Sequence, residues 1–313
     1  MKRTVRSGIA AMSAPALFAL SGEAGAQDAI SPELVQKMQP YIACINRLSG
    51  RAYQTRDRYI SWAGDGAEMA VAPQNIYGLY EIADTGECAD GVEAANAAEP
   101  DDAEIEAAGS NYVASVVALE AMLKTAYPYY ERANYKDDAM SKGQEMHPQL
   151  LGVFADFEAA DVQLRGVVEA FNNELRAAQL AELEESEGRS GGFLVELTMS
   201  KATQVVRLAT ADEMTRIDLP RFTDAVTQLE AAVDELDAYA SGGNEPAVSS
   251  SVVDASNDVL VSAKGLMRRV RDGTPFTTGE AMLLEGGGGA MVEGSQPELI
   301  DQYNSLVDSY NRG

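Results

Sequence analysis

The sequence is poor in the residues that hydrolytic and metal chemistry use most. Histidine occurs once, at His147, and the chain has one tryptophan and two cysteines. A lone histidine cannot supply the several imidazole ligands or the assisted nucleophile on which most such sites depend. We also find no dinucleotide- or phosphate-binding fingerprint. We therefore predict that the protein is not an enzyme and that it uses no cofactor.

Basic residues are scarce relative to acidic ones. The chain has 24 Lys and Arg against 49 Asp and Glu, which gives a formal net charge of −25. Nucleic acids and anionic lipids are bound by neutralising their phosphates, so this acidic protein is predicted to bind neither. The charge could attract cations or a basic partner, or it could simply keep a solvated surface soluble.

No apolar run in the sequence is long enough to span a bilayer. A shorter run near the amino terminus has the features of an export signal. Three basic residues precede an apolar run at 9–20, and small residues follow at 24–26. This pattern predicts a signal peptide over residues 1–26, cleaved after Ala26. The alternative, an uncleaved anchor, is disfavoured because a bilayer span needs about 20 apolar residues. The first cysteine, Cys44, lies far beyond the cleavage site. We therefore expect a soluble periplasmic or secreted protein that is not a lipoprotein.

Cys44 and Cys88 are the only cysteines. In a chain bound for an oxidising compartment, a disulfide between them is the favoured interpretation, and two separate buried thiols are the alternative. A bridge would close a loop of about 45 residues, for which chain entropy predicts roughly 4 kcal/mol of stabilisation.

Sustained period-two alternation is absent, whereas helical periodicity runs through most of the sequence. Apolar residues recur at three- and four-residue spacing and define stripes that should form the core. We predict an all-α fold, a bundle of long antiparallel amphipathic helices. The stripes cover residues 34–62, 105–130, 150–175, 194–208, 219–240, 252–270 and 299–310.

Local signals mark several helix ends. Ser31 before Pro32 fits an N-cap followed by a proline at the first helical position. Asp102 sits where an acidic residue suits the start of the second stripe. Pro40 lies inside the first stripe and is predicted to kink or split that helix. His147, directly before a proline, is predicted to cap or precede the third.

The predicted domain organisation follows from where periodicity stops. Residues 27–271 are assigned to one helical bundle domain that contains an irregular segment at 64–100. Residues 272–297, with four consecutive glycines, are predicted to be a flexible linker. Residues 298–313 form a C-terminal helix that should dock on the bundle, most simply against the first helix.

A carboxylate–histidine metal site is one candidate for function. It would join His147 with Glu145 and a carboxylate such as Glu158 or Asp161. Asp161 falls where the apolar stripe expects a core residue. The neighbouring Ala160 can fill that place after a small rotation of the stripe, so a purely structural interpretation is equally open.

The segment 127–138 is the candidate binding surface. Tyrosines stack and hydrogen-bond, as sugar-binding and protein-binding surfaces require. In the alternative, the rings close the end of the bundle and the aspartates cap the next helix. The candidate residues are Tyr127, Tyr129, Tyr130, Tyr135, Lys136, Asp137 and Asp138.

Four arginines cluster on the first predicted helix of this acidic chain. They are expected to pair with carboxylates of neighbouring helices, and an anion site is the alternative. The four are Arg47, Arg51, Arg56 and Arg58.

Several blocks of the sequence match a known family in content and order: residues 41–51, 58–62, 75–80, 129–138, 142–143, 146–150, 303–307 and Asn311. They resemble the YiiG-like family of bacterial envelope proteins. The resemblance implies a helical, exported domain of unknown function, and it supplies no catalytic residues. Family members are often anchored as lipoproteins, and this sequence departs from them because it lacks the lipidated cysteine.

Two functional hypotheses follow. The first is a non-catalytic periplasmic module that binds an envelope protein or a small ligand. The alternative is a periplasmic metal-handling protein that holds a cation through carboxylates and His147.

Overall fold

A computed structural model describes residues 30–69, 75–209 and 214–312. The predicted signal peptide and its cleavage at Ala26 lie outside these ranges. The fold is all-α, as predicted, and the described residues contain no strand. The helices are α1 Pro32–Cys44, α2 Gly50–Ala63, α3 Thr85–Asn96, α4 Ala103–Glu131, α5 Ser141–Glu187, α6 Gly191–Ala209, α7 Leu219–Ser241, α8 Ser250–Asp272, α9 Thr278–Glu285 and α10 Gln296–Arg312.

Two predicted helix starts are confirmed in atomic detail. The Ser31 hydroxyl accepts from the Leu34 N–H at 3.1 Å. The Asp102 carboxylate accepts from the first backbone N–H groups of α4. Such caps satisfy donors that have no partner within the helix. The predicted split at Pro40 does not occur, because α1 continues through it to Cys44.

A π-helical turn, Ile45–Ser49, joins α1 to α2. The residues that flank it, Cys44 and Gly50, keep right-handed helical backbone angles, so the helical run is continuous. Single π-helical turns within α-helices often lie near functional groups. Ser49, the last residue of this turn, is fully buried.

The described residues form two compact units, divided within α5 between Leu175 and Arg176. In the first unit, α1 packs on α3 and α3 on α4. The amino-terminal part of α5 joins the same core through Leu150, Phe154 and Phe157. The apolar stripes of the first three predicted helices thus meet in one core.

The second unit comprises the residues from Arg176 onward. Here α6 packs on α7, α7 on α8, and α10 on both α8 and α6. Leu299 and Leu306 of α10 are fully buried in this core. The C-terminal helix therefore docks on α8 and α6, and the simplest expectation, docking on the first helix, is wrong.

Two segments expected to lack helices contain them. The predicted irregular segment 64–100 includes α3, whose apolar face carries Cys88 and Val92 into the core. The predicted linker 272–297 includes α9, which begins with a capping box between Thr277 and Glu280. Such a box satisfies backbone donors at both its positions, which favours a short helix. The flexibility of this linker and the domain boundaries stay predictions.

Among the helices of the described ranges, none combines the length and the apolar content that crossing a bilayer requires.

Candidate functional site

A buried carboxylate lies at the centre of the first unit. Asp161 of α5 is 1 % exposed. Its Oδ1 accepts from the Ser49 hydroxyl at 2.5 Å, and its Oδ2 accepts from the Tyr53 hydroxyl at 3.0 Å and from Arg165 Nε at 2.7 Å. The Ser49 hydroxyl also lies 2.8 Å from the Tyr112 hydroxyl. These five residues, which we call the Asp161 network, come from the π turn, α2, α4 and α5.

The two phenol groups of this network have raised pKa values. Burial, aided by the nearby Asp161 carboxylate, raises the pKa of Tyr53 well above its ordinary value. Burial also raises the pKa of Tyr112. Both phenols therefore stay protonated at neutral pH, and Tyr53 can donate to the carboxylate. A buried charge is tolerated when donors surround it in this way. The arrangement anchors four helical segments to one another.

His147 lies inside α5, six residues after its first residue Ser141, so it neither caps nor precedes the helix as predicted. It is fully buried. Its Nε2 lies 2.9 Å from the Gly66 carbonyl, which can only accept, so we assign the proton to Nε2. Its Nδ1 then accepts from the Tyr59 hydroxyl at 2.7 Å. Both ring nitrogens are thus engaged, and the ring packs against Tyr59 in an aromatic cluster with Trp62.

The structure does not bring the metal candidates together. Glu145 is exposed, whereas His147 and Asp161 are buried. The last two are separated by fourteen residues of one helix, a rise of about 21 Å. No group of three or more metal-ligating side chains occurs among the residues that the structure describes. His147 and Asp161 instead belong to two separate hydrogen-bond networks.

The candidate binding surface is only partly a surface. Tyr129 and Tyr130 are each 4 % exposed, so their rings close the end of the core, as the alternative interpretation holds. Tyr127 and Tyr135 are half-buried. Burial raises the pKa of Tyr129 to about 12 and also raises that of Tyr130. The Tyr130 hydroxyl has no hydrogen-bond partner within the described residues.

The charged residues of the same turn differ in role. Lys136 and Asp137 are exposed. Asp138 is half-buried, and its carboxylate accepts from the Tyr129 hydroxyl at 2.9 Å and from the backbone N–H groups of Met140 and Lys142. Asp138 therefore stabilises the start of α5. What remains available to a partner is the rim around Tyr135, Lys136 and Asp137.

The arginines of the first helical run fall into two classes. Arg47 pairs with Glu87, and Arg56 with Glu158, as expected. Arg51 and Arg58 instead lie against the ring of Tyr80, a residue that sequence reasoning did not single out.

The two guanidinium carbons of Arg51 and Arg58 are 4.0 and 4.6 Å from the Tyr80 ring centroid. We call these three residues the arginine–tyrosine stack. The only sequence signal for it was the 75–80 block shared with the family.

A second missed residue is Ser190. With Gly188 and Gly192 it has the Gly-x-Ser-x-Gly spacing of a hydrolase nucleophile. That motif works at a strand-to-helix turn, whereas Ser190 lies between α5 and α6. Its hydroxyl accepts from the Phe193 N–H at 3.2 Å and donates to Glu187 at 3.0 Å. Ser190 is thus a helix cap.

The predicted disulfide is confirmed. Cys44 and Cys88 are bonded, which links the end of α1 to α3, and the described residues include no free cysteine. The bridge closes a loop with a sequence separation of 44.

The comparisons with known proteins give a relative and a family, neither with a described function. The chain is 28 % identical over 295 residues to the Uncharacterized protein YiiG of Escherichia coli (strain K12), an alignment that covers 92 % of this chain and 82 % of that protein. No solved structure matches it. The model of the family described as Protein of unknown function (DUF3829) matches residues 32–312. Because this match spans nearly the whole described chain, the protein belongs to the DUF3829 family.

Proposed function

We propose that this protein is a non-catalytic binding module of the bacterial periplasm. One observation carries the proposal. His147 and Asp161 are the side chains best suited to act as a general base or a metal ligand. Both are buried, and internal hydrogen bonds engage both ring nitrogens of His147 and both carboxylate oxygens of Asp161. A general base or a metal ligand must reach its substrate or ion. These groups instead stabilise the core.

The periplasmic location is supported by two features. Residues 1–26 have the composition of a signal peptide. The Cys44–Cys88 bond is of the kind that persists in oxidising compartments. Two surfaces are available for binding: the arginine–tyrosine stack, and the rim around Lys136 and Asp137.

Native mass spectrometry of the protein purified from the periplasm tests the proposal. We expect the mass of a chain that has been cleaved after Ala26. We also expect a second species, heavier by the mass of a non-covalently bound ligand or partner. A photo-crosslinking residue at Tyr77, which is exposed beside Arg58, or at Asp137 should capture that ligand or partner. The same residue at Glu182, exposed on the carboxyl-terminal part of α5, serves as the control and should capture neither.

Two results would contradict the proposal. One is turnover of an envelope substrate that is abolished by His147→Gln in a folded protein. The other is a bare protein whose crosslinks are the same at Asp137 and Glu182.

A further inference from the structure

We propose that Arg51 and Arg58 form a binding site for a small oxyanion, a ligand that carries a carboxylate or phosphate group. The inference rests on the proposed binding function and names the ligand chemistry of one surface.

The site is held in place by helix α2 and the extended segment 75–84. Thr55 lies between the two arginines on one face of α2, at the four- and three-residue spacing that aligns side chains. Its hydroxyl donates to the Tyr80 carbonyl and accepts from the Tyr80 N–H, both at 2.9 Å. Tyr80 is thereby fixed opposite Thr55, and its ring lies against one arginine from the turn before and one from the turn after.

Each guanidinium is oriented through its Nε. Arg51 Nε donates to the Glu81 carbonyl at 3.2 Å, and Arg58 Nε donates to the Tyr77 carbonyl at 2.6 Å. Arg58 Nη1 also donates to the Tyr80 hydroxyl at 2.9 Å. The inner edge of each group is therefore occupied. Arg51 Nη1 also donates to Gln54 Oε1 at 3.5 Å. No hydrogen bond among the described residues uses either Nη2 group, and the two Nη groups form the fork with which arginine recognises carboxylate and phosphate oxygens.

The pair also lacks the partner that arginines elsewhere on this helical run have. Arg56, in the same helix, has Glu158 at 2.8 Å. No Asp or Glu lies within ion-pair distance of Arg51 or Arg58 in the described part of the chain. Residues 70–74, which the structure does not describe, contain no acidic residue. In a chain with twice as many acidic as basic residues, two cations beside one ring form an uncompensated positive site.

The net charge of the protein favours a small anion over a polyanion as the ligand. A formal charge of −25 repels polyanions such as nucleic acid or an anionic membrane at long range. Physiological salt screens that repulsion over about 8 Å, so a small anion can still reach the guanidinium groups that lie against Tyr80. We therefore assign the site to a small molecule with one or two oxyanion groups.

The test uses the full mature chain, labelled with ¹⁵N, and follows the Nε–H signals of its arginines by NMR. Because the Nε–H groups of Arg51 and Arg58 are hydrogen-bonded to carbonyls, they should exchange slowly enough to be observed. We titrate with inorganic phosphate and, separately, with succinate. Sodium chloride at matched ionic strength is the reference. The expected result is saturable shifts of these two signals, with a dissociation constant on the order of 1 mM or tighter.

Matched variants separate binding from structure. Arg51→Lys and Arg58→Lys keep the positive charge but remove the guanidinium fork. Each should therefore weaken the affinity for the anion at least about tenfold. Arg56→Lys changes a carboxylate-paired arginine on the same helix and should leave the affinity unchanged. Arg51 is exposed, so its variant will fold even if Arg58→Lys loosens the segment 75–84.

Saturation by phosphate alone, succinate alone or both supports the proposal and defines the ligand as phosphoryl, carboxylate or either. Shifts no larger than those with chloride overturn it, as does equal weakening by Arg56→Lys. If the anions fail while Asp137 still crosslinks a partner, the binding function stands and this site is rejected.

Discussion

Replacing Asp161 by asparagine should destabilise the first unit by about 2–3 kcal/mol. Asparagine keeps the shape and one acceptor, but it removes the charge that strengthens bonds from Ser49, Tyr53 and Arg165. Its amide must also face donors at one of the two oxygen positions. Hydrogen bonds to charged groups contribute about 1.5–3 kcal/mol each. Arg165 is half-exposed and can turn to water, and the Ser49 hydroxyl can donate to Tyr112 instead, which limits the loss.

The assay is urea unfolding of the disulfide-bonded chain, followed by tryptophan fluorescence. Trp62 is the sole tryptophan and is buried in the first unit, so it reports on that unit alone. Glu158→Gln, at an exposed position three residues before Asp161, is the matched control and should change stability by less than about 0.5 kcal/mol. A double-mutant cycle with Ser49→Ala should show coupling between the two residues. If Asp161→Asn costs no more than Glu158→Gln, the network does not anchor the core and the reasoning fails.

Three further predictions concern the same unit. Reducing the Cys44–Cys88 bond should lower the free energy of unfolding by about 4 kcal/mol, because the closed loop no longer restricts the unfolded chain. The variant with alanine at both positions should be insensitive to reductant. If reductant destabilises that variant and the original protein equally, the prediction is refuted. Gly109→Ala should cost about 1–3 kcal/mol in urea unfolding, because its Cβ would lie 2.4 Å from the Tyr41 ring, whereas Gly166→Ala, with open space, should be neutral or stabilising. Burial, with nearby acidic residues, raises the pKa of Tyr41 to about 12. The contribution of Tyr41 to the free energy of unfolding is therefore complete below pH 10 and is lost as pH rises toward 12. Tyr41→Phe should move the onset of alkaline unfolding upward, and an unchanged onset would contradict this.

Local chemistry accounts for what the sequence predicted well. The stripes follow from a 3.6-residue period, and the caps at Ser31 and Asp102 depend only on residues within one turn. The disulfide followed from compartment and cysteine count. By contrast, α9 depends on the capping box at Thr277, a four-residue signal that the surrounding glycines obscured. Pro148 also suggested a helix start, whereas α5 begins at Ser141 and includes the proline.

The site residues were harder to predict because their partners are distant in sequence. The deviation of Asp161 from the apolar stripe was noticed, but its meaning depends on Ser49 and Tyr53, more than a hundred residues earlier. Tyr80 lies in a segment without periodicity, so nothing local indicated that two arginines would pack on its ring. Periodicity places side chains on faces of one helix, and it carries no information on which faces meet.

The π-helical turn Ile45–Ser49 has a consequence for how this family can vary in length. Upstream of it Cys44 is bonded to α3, and downstream Tyr59 is hydrogen-bonded to His147. Deleting or inserting one residue in the α-helical part of this stretch, from Gly50 to Tyr59, would rotate one of the two contacts by about 100° about the helix axis. Either the disulfide or the histidine contact would then be lost. Relatives that keep both contacts should align across this stretch without gaps, while loops elsewhere lengthen and shorten freely.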